Sequence, residues 1–180
     1  ADKMSALPPV TLLYGDDEFG IARHIKVLKG ALGSDENAAF NITEFEAGVL
    51  SFARFRSVCE SAPFLCLQRL VILGGLLVHG QSEVQSGETR KVFLTALIDY
   101  ITALPKYTAL VLVVHRNIPK NSRLLKAVRA MEGAEVHECT LPDKRDLPVW
   151  ILDRARTAGG DFSAAGAQAL AAAGVDSPRA

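Results

Sequence analysis

Six consecutive apolar residues at positions 109–114, Ala-Leu-Val-Leu-Val-Val, constrain the fold of this chain more than any other feature of its sequence. A strand with one solvated face alternates polar and apolar residues, whereas a strand covered on both faces is apolar throughout. The segment therefore predicts a central strand of a parallel sheet, with helices packed on both sides of it.

Strand and helix patterns alternate on either side of this segment. Further strands are predicted at residues 10–14, 40–45, 70–73 and 135–139, the last at a sheet edge because it is charged. Apolar residues recur at helical spacing over residues 21–32, 52–58 and 93–101, and from Asn121 or Ser122 to Gly133. This alternation predicts a three-layer α/β domain with a five-stranded parallel sheet over residues 1–141.

The pattern becomes purely helical after residue 141. Asp146 and Pro148 open one helix, and Ser163 opens an alanine-rich helix that ends at Gly174. We expect residues 142–180 to form the beginning of a small helical domain. Two helices bury little surface by themselves, so the chain is expected to be part of a longer protein.

Composition and charge exclude several classes of protein. Lys and Arg number 20 and Asp and Glu number 20, which argues against a histone-like protein that wraps a polyanion. Hydrophobic residues make up 49% of the chain, too many for a disordered protein. The longest apolar run, residues 70–78, falls short of the roughly 20 residues that cross a bilayer, so no membrane partner is expected.

The cysteines and histidines predict neither a metal site nor a catalytic site. Cys59, Cys66 and Cys139 are odd in number and form no C-x-x-C pair, which favours reduced thiols in a cytoplasmic protein. The four histidines pair with no cysteine or carboxylate at ligand spacing. We therefore expect no metal, no cofactor and no catalytic residues.

The first strand-to-helix loop resembles a phosphate-binding loop in spacing but not in chemistry. Gly15 and Gly20 match the glycines of G-x-x-x-x-G-K-[ST], but Ile21 and Ala22 replace the Lys and the Ser or Thr. The Lys supplies the cation for the outer phosphates and the hydroxyl ligates magnesium, and neither replacement can do so. Three acidic residues stand between the glycines, where a triphosphate would be repelled. An ordinary capped helix start is the preferred interpretation.

Residues 61–70, Ser-Ala-Pro-Phe-Leu-Cys-Leu-Gln-Arg-Leu, form an unusually apolar connection between a helix and a strand. Connections are normally polar and exposed. An apolar connection is either buried in the core or offered to a partner. Composition by itself favours the core.

A basic cluster follows the apolar strand, with no acidic residue between positions 115 and 131. Its members are Arg116, Lys120, Arg123, Lys126 and Arg129. The last three share one side of the predicted helix and could face phosphate or an acidic partner. A solvated helix face is the commoner explanation for such a run.

Four stretches in order resemble the delta subunit of bacterial DNA polymerase III, the clamp-opening member of the sliding-clamp loader. These stretches are residues 12–19, 61–65 with 69–72, 110–114 with 120–127, and 147–151 with 155–159. The resemblance implies an AAA+ fold in which the loop at Gly15, Gly20, Ile21 and Ala22 is degenerate and binds no ATP. It also implies an accessory subunit without a catalytic site of its own, and it identifies residues 142–180 as the beginning of a helical lid.

The resemblance also implies partners and a binding site. Phe64 and Leu65 occupy the positions of two apolar side chains that this family inserts into a pocket on the sliding clamp, and Leu67 is a third candidate. Other implied partners are the gamma/tau and delta-prime subunits, contacted through a C-terminal domain outside these residues, and primed DNA. Two alternatives stay open: a P-loop NTPase, and a nucleotide-free α/β scaffold of another assembly.

Overall fold

The computed structural model describes residues 6–33, 36–47, 51–76, 87–142, 145–157, 159–160 and 163–175. The strands are β1 (Val10–Tyr14), β2 (Ile42–Glu46), β3 (Arg69–Gly74), β4 (Thr108–Val114) and β5 (Glu135–Glu138). The helices are α1 (Glu18–Leu32), α2 (Glu36–Phe40), α3 (Phe52–Glu60), α4 (Gly87–Tyr100), α5 (Arg123–Arg129), α6 (Leu147–Thr157) and α7 (Ala164–Val175). The chain divides into two compact units, residues 1–140 and 141–180.

The five strands form one parallel sheet in the order β2-β3-β4-β1-β5. Leu12 of β1 lies opposite Leu112 of β4, and Val71 of β3 lies opposite Leu110 of β4. Every residue of β4 is buried, as its continuous apolar run predicts, and β5 lies at an edge. The predicted five-stranded parallel sheet in a three-layer α/β fold is confirmed.

Helices cover both faces of the sheet because the crossovers run in two directions. The connection from β1 reaches β2 at the far edge, whereas the later connections run back toward β5. Right-handed crossovers in opposite directions place their helices on opposite faces. Ile21 and Leu32 of α1 accordingly belong to one core cluster, and Phe55, Leu97 and Leu124 of α3, α4 and α5 belong to the other.

Two element boundaries differ from the predictions. The predicted strand at 40–45 begins only at Ile42, because Phe40 ends helix α2 and Asn41 lies in a turn. Helix α2 has five residues, which is too short for apolar periodicity to reveal it. Helix α5 ends at Arg129 rather than near Gly133, whose φ of 75° belongs to the following turn.

The second unit contains α6 and α7, which pack against each other. Ala167 and Ala171 of α7 are buried, so small side chains allow a close approach of the two helices. The Arg154 guanidinium lies over the Trp150 ring, 4.8 Å from its centroid. Among the described residues, no helix combines the length and apolarity that crossing a bilayer requires.

Candidate functional site

Residues 61–68, which we call the apolar loop, connect α3 to β3 at the amino edge of the sheet. Phe64, Leu65 and Leu67 are 57%, 75% and 75% exposed. The core location that composition favours for this segment is therefore wrong. Three large apolar side chains exposed within four residues are unusual, and such clusters mark interaction surfaces.

Hydrogen bonds hold the apolar loop at the point where it leaves α3. Arg69, buried at the start of β3, donates from Nη1 to the Ser61 carbonyl at 2.8 Å. Tyr107 Oη donates to the Glu60 carbonyl at 2.8 Å. These contacts satisfy carbonyls at the end of α3, which have no partner within the helix. The point at which the loop leaves the fold is therefore defined.

The middle of the loop is held by the side chain of Asn41, which is 1% exposed. Its Oδ1 accepts the Phe64 N–H at 2.6 Å, and its Nδ2 donates to the Phe64 carbonyl at 2.7 Å. Leu65 follows with a φ of 52°, the left-handed region that few non-glycine residues adopt. The exposed side chains consequently project from a hydrogen-bonded backbone of specific conformation.

Phe40 enlarges the exposed apolar surface. Its ring is 69% exposed and makes an edge contact with the Phe64 ring, with 6.1 Å between centroids. The sequence pattern predicts a strand at Phe40 and does not indicate this contact. Its proximity to Phe64 arises from the pairing of β2 with β3, which the local sequence does not report.

The loop after β1, which contains Gly15 and Gly20, packs closely on the backbone of neighbouring elements. This loop lies at the carboxyl ends of β1 and β4. These two neighbouring strands have connections that leave in opposite directions, and ligands of open α/β sheets usually bind at such a point. Gly15 donates its N–H to the Val114 carbonyl at 3.1 Å. A Cβ on Gly15 would lie 1.9 Å from the Cys139 carbonyl oxygen, so the loop packs directly on that backbone.

The N-terminus of α1 already holds a carboxylate. Asp17 is 6% exposed, and its Oδ1 accepts the Gly20 N–H at 2.9 Å. A helix N-terminus can bind phosphate through its free N–H groups and positive dipole end, and in α1 the Asp17 carboxylate accepts one of those N–H groups. Ile21, at the position of the phosphate-binding lysine, is buried in the core, and Ala22 is exposed.

The five residues of the basic cluster are all exposed. Helix α5 buries Leu124, Leu125 and Val128 against the sheet, which directs its three basic side chains toward solvent. Arg116 and Lys120 lie in the connection from β4 to α5, at the carboxyl edge of the sheet. Arg116 and Lys120 thus lie at the opposite edge of the sheet from the apolar loop.

In the described part of the chain, no group of three His, Cys, Asp or Glu side chains is placed to hold a metal ion.

A cavity of about 230 Å³ lies beside the apolar loop, lined in part by Leu7, Leu32, Leu67 and Lys106. Burial raises the pKa of the Cys59 thiol to about 12, which keeps it protonated at neutral pH.

Comparison with known proteins supports the resemblance seen in the sequence. The DNA clamp loader delta protein of Bacillus subtilis is similar in structure, with a TM-score of 0.68 and 20% identity over 91% of this chain and 48% of that chain. A DNA polymerase III gamma subunit-related protein from Thermotoga maritima matches with a TM-score of 0.48 and 16% identity, over 92% of this chain and 54% of that chain. This chain thus spans about half the length of either protein.

The first of these structural matches establishes the fold. No curated protein sequence matches the chain. The sequence model of the family described as DNA polymerase III, delta subunit, matches residues 12–140, well over half of the 180 residues. The chain belongs to the DNA polymerase III delta subunit family.

Proposed function

We propose that this chain is the clamp-binding part of a clamp-loader delta subunit, and that its apolar loop docks in a pocket on the sliding clamp. The observation that carries the proposal is the exposure of Phe64, Leu65 and Leu67 on a loop that hydrogen bonds hold in place. Because the chain belongs to the delta subunit family, the sliding clamp is the expected partner. Because the loop is already ordered, binding requires little further loss of conformational entropy.

Clamp opening by this mechanism needs no covalent chemistry. A closed ring and an opened ring are in equilibrium, and a protein shifts that equilibrium only by binding the opened form more tightly. We propose that residues 1–141 bind the clamp in this way and that residues 142–180 begin the helical lid. The division of the chain into two compact units between Thr140 and Leu141 supports this assignment.

Phe40 belongs to the same proposed contact surface. Its exposed ring lies against Phe64, so a partner pocket that receives Phe64 would cover part of Phe40 as well. Aromatic side chains are frequent among the residues that dominate binding energies.

The proposed role excludes ATP hydrolysis by this chain. The Asp17 carboxylate at the N-terminus of α1 and the buried Ile21 side chain support that statement. Equilibrium dialysis with ATP and magnesium tests it, and we expect no saturable binding at micromolar ATP. Saturable binding at that concentration would instead favour the P-loop NTPase.

The clamp proposal is tested by mixing this chain with the sliding clamp of the same organism. We expect a complex on size-exclusion chromatography and release of clamp rings from closed circular DNA without ATP, since a ring leaves such DNA only by opening. Absence of a complex at concentrations of tens of micromolar would favour a scaffold of another assembly.

The other partners of the family remain part of the proposal. We propose that the full-length protein joins the gamma/tau and delta-prime subunits, and that the basic cluster faces primed DNA or an acidic surface in that assembly. Five exposed cations without a described salt-bridge partner support an anionic partner for this cluster.

A further inference from the structure

We infer that Asn41 is a positioning residue that holds the apolar loop in the conformation that binds the clamp. The inference rests on the proposed function and assigns a role to a residue outside the apolar loop. Asn41 is 1% exposed, so it cannot contact a partner directly. Its influence on binding must pass through the residues that it contacts.

Every polar group of Asn41 has a partner. Its backbone N–H donates to the Ala38 carbonyl at 3.0 Å, and its carbonyl accepts the Leu70 N–H at 2.8 Å. Nδ2 donates to the carbonyls of Asn37 and Phe64 at 2.8 and 2.7 Å, and Oδ1 accepts the Phe64 N–H at 2.6 Å. Two carbonyl partners and one N–H partner specify the orientation of the amide.

The contact with Phe64 is reciprocal. The Asn41 amide both accepts from and donates to the Phe64 backbone, as two opposed residues do in an antiparallel sheet. The two residues are 23 positions apart in the sequence. Because Phe64 immediately precedes Leu65, this contact also holds the residue whose φ is 52°. A leucine persists in that region only when its surroundings hold it there.

Asparagine is required for this arrangement. Replacement by alanine would leave the Phe64 N–H and the carbonyls of Asn37 and Phe64 with only water as a hydrogen-bond partner. Aspartate could still accept the Phe64 N–H, but its second oxygen would face the carbonyl oxygens of Asn37 and Phe64, which repel it. Either substitution should allow the loop to sample conformations that do not bind.

Substitution of Asn41 should reduce the fraction of molecules in which the apolar loop has the conformation that binds the clamp. The apparent dissociation constant rises in inverse proportion to that fraction. Loss of the two net hydrogen bonds between Asn41 and Phe64 corresponds to roughly 30-fold weaker clamp binding for Asn41→Ala. The sheet should persist, because the backbone hydrogen bonds of Asn41 do not need its side chain.

A double-mutant cycle tests this role. Asn41→Ala is measured by clamp titration in the unsubstituted chain and in the Phe64→Ala/Leu65→Ala chain. If Asn41 acts through the loop, its substitution should change the dissociation constant less than about twofold in the second background. Equal effects in both backgrounds would overturn the inference. Asn117→Ala, which removes an exposed asparagine at the opposite edge of the sheet, is the matched control and should bind normally.

Hydrogen exchange distinguishes local positioning of the apolar loop by Asn41 from a general contribution of Asn41 to the stability of the fold. The Phe64 amide should be protected in the unsubstituted chain and should exchange faster in Asn41→Ala, while β3 amides keep their protection. An unprotected Phe64 amide in the unsubstituted chain would overturn the inference. Unfolding of both Asn41→Ala and Asn41→Asp would also overturn it, since Asn41 would then support the sheet.

The same titrations separate this inference from the proposed function. Normal binding by Phe64→Ala/Leu65→Ala would refute the proposed function together with the inference. Weak binding by that variant, with normal binding by a folded Asn41→Ala chain, would refute the inference alone.

Discussion

Replacing Phe64 and Leu65 together by alanine should abolish most of the clamp affinity while leaving the fold intact. Full burial of a large apolar side chain is worth about 1.5–3 kcal/mol. The two side chains are 57% and 75% exposed, so roughly two-thirds of that value is still available to a partner. Their burial should contribute about 2–4 kcal/mol to binding.

This free energy corresponds to a rise of roughly 30- to 1,000-fold in the dissociation constant. The measurement is an equilibrium titration of the chain against immobilised sliding clamp. Phe19→Ala/Val27→Ala removes two apolar side chains of α1 that are 76% and 65% exposed, and it serves as the matched control. That control should bind within about twofold of the unsubstituted chain, because surface apolarity alone is not what the clamp recognises.

Stability separates the surface role from a core role. Substitutions at exposed positions usually change the free energy of unfolding by less than about 0.5 kcal/mol, so the melting temperature of Phe64→Ala/Leu65→Ala should fall by less than about 2 °C. Phe55→Ala, at a fully buried position, should instead cost about 3–5 kcal/mol. A dissociation constant within about threefold of the unsubstituted value, at an unchanged melting temperature, would refute the assignment of the binding site.

Four further outcomes are expected. Phe40→Ala should weaken clamp binding by about three- to tenfold, since it removes an aromatic contact worth about 0.5–1.5 kcal/mol; unchanged binding would remove Phe40 from the surface. Iodoacetamide at neutral pH should modify the half-buried Cys66 while sparing Cys59, whose pKa is raised to about 12 by burial, and bound clamp should slow the reaction at Cys66, as peptide mass mapping would show. Reversing the three basic charges of α5 should flatten the salt dependence of DNA affinity by up to about 3 units of log–log slope without changing clamp binding; an unchanged slope would place DNA elsewhere. Gly15→Ala should lower the free energy of unfolding by more than about 3 kcal/mol in a denaturant titration, because its Cβ would overlap the Cys139 carbonyl; a loss below about 1 kcal/mol would show that the loop can shift.

The central architecture of the sheet follows from local sequence. A strand that is apolar at every position can only be covered on both faces, and β4 is buried along its whole length. Short-range chemistry likewise locates helix starts, as at Asp17 and Ser51, whose side chains accept N–H groups three residues later. Such features depend on neighbours within one helical turn or one strand, so a linear pattern contains them.

The orientation of the apolar loop depends on residues distant in the sequence. Composition favours the core for this segment, and nothing within residues 61–68 distinguishes a buried loop from an exposed one. Asn41 and Phe40 reach Phe64 only because β2 pairs with β3, across 23 positions of sequence. A single sequence contains the residues of that contact but not their proximity.

The layers, the parallel sheet and the missing phosphate-binding chemistry can therefore be predicted from the amino-acid sequence, since each depends on residue type or local period. The exposure of Phe64, Leu65 and Leu67 and the contact of Asn41 with the Phe64 backbone emerge only from the folded structure. The physical reason is that the exposure of these side chains and their hydrogen-bond partners depend on long-range packing. This packing brings together residues that are far apart in the sequence, and no local pattern indicates that they are close in space.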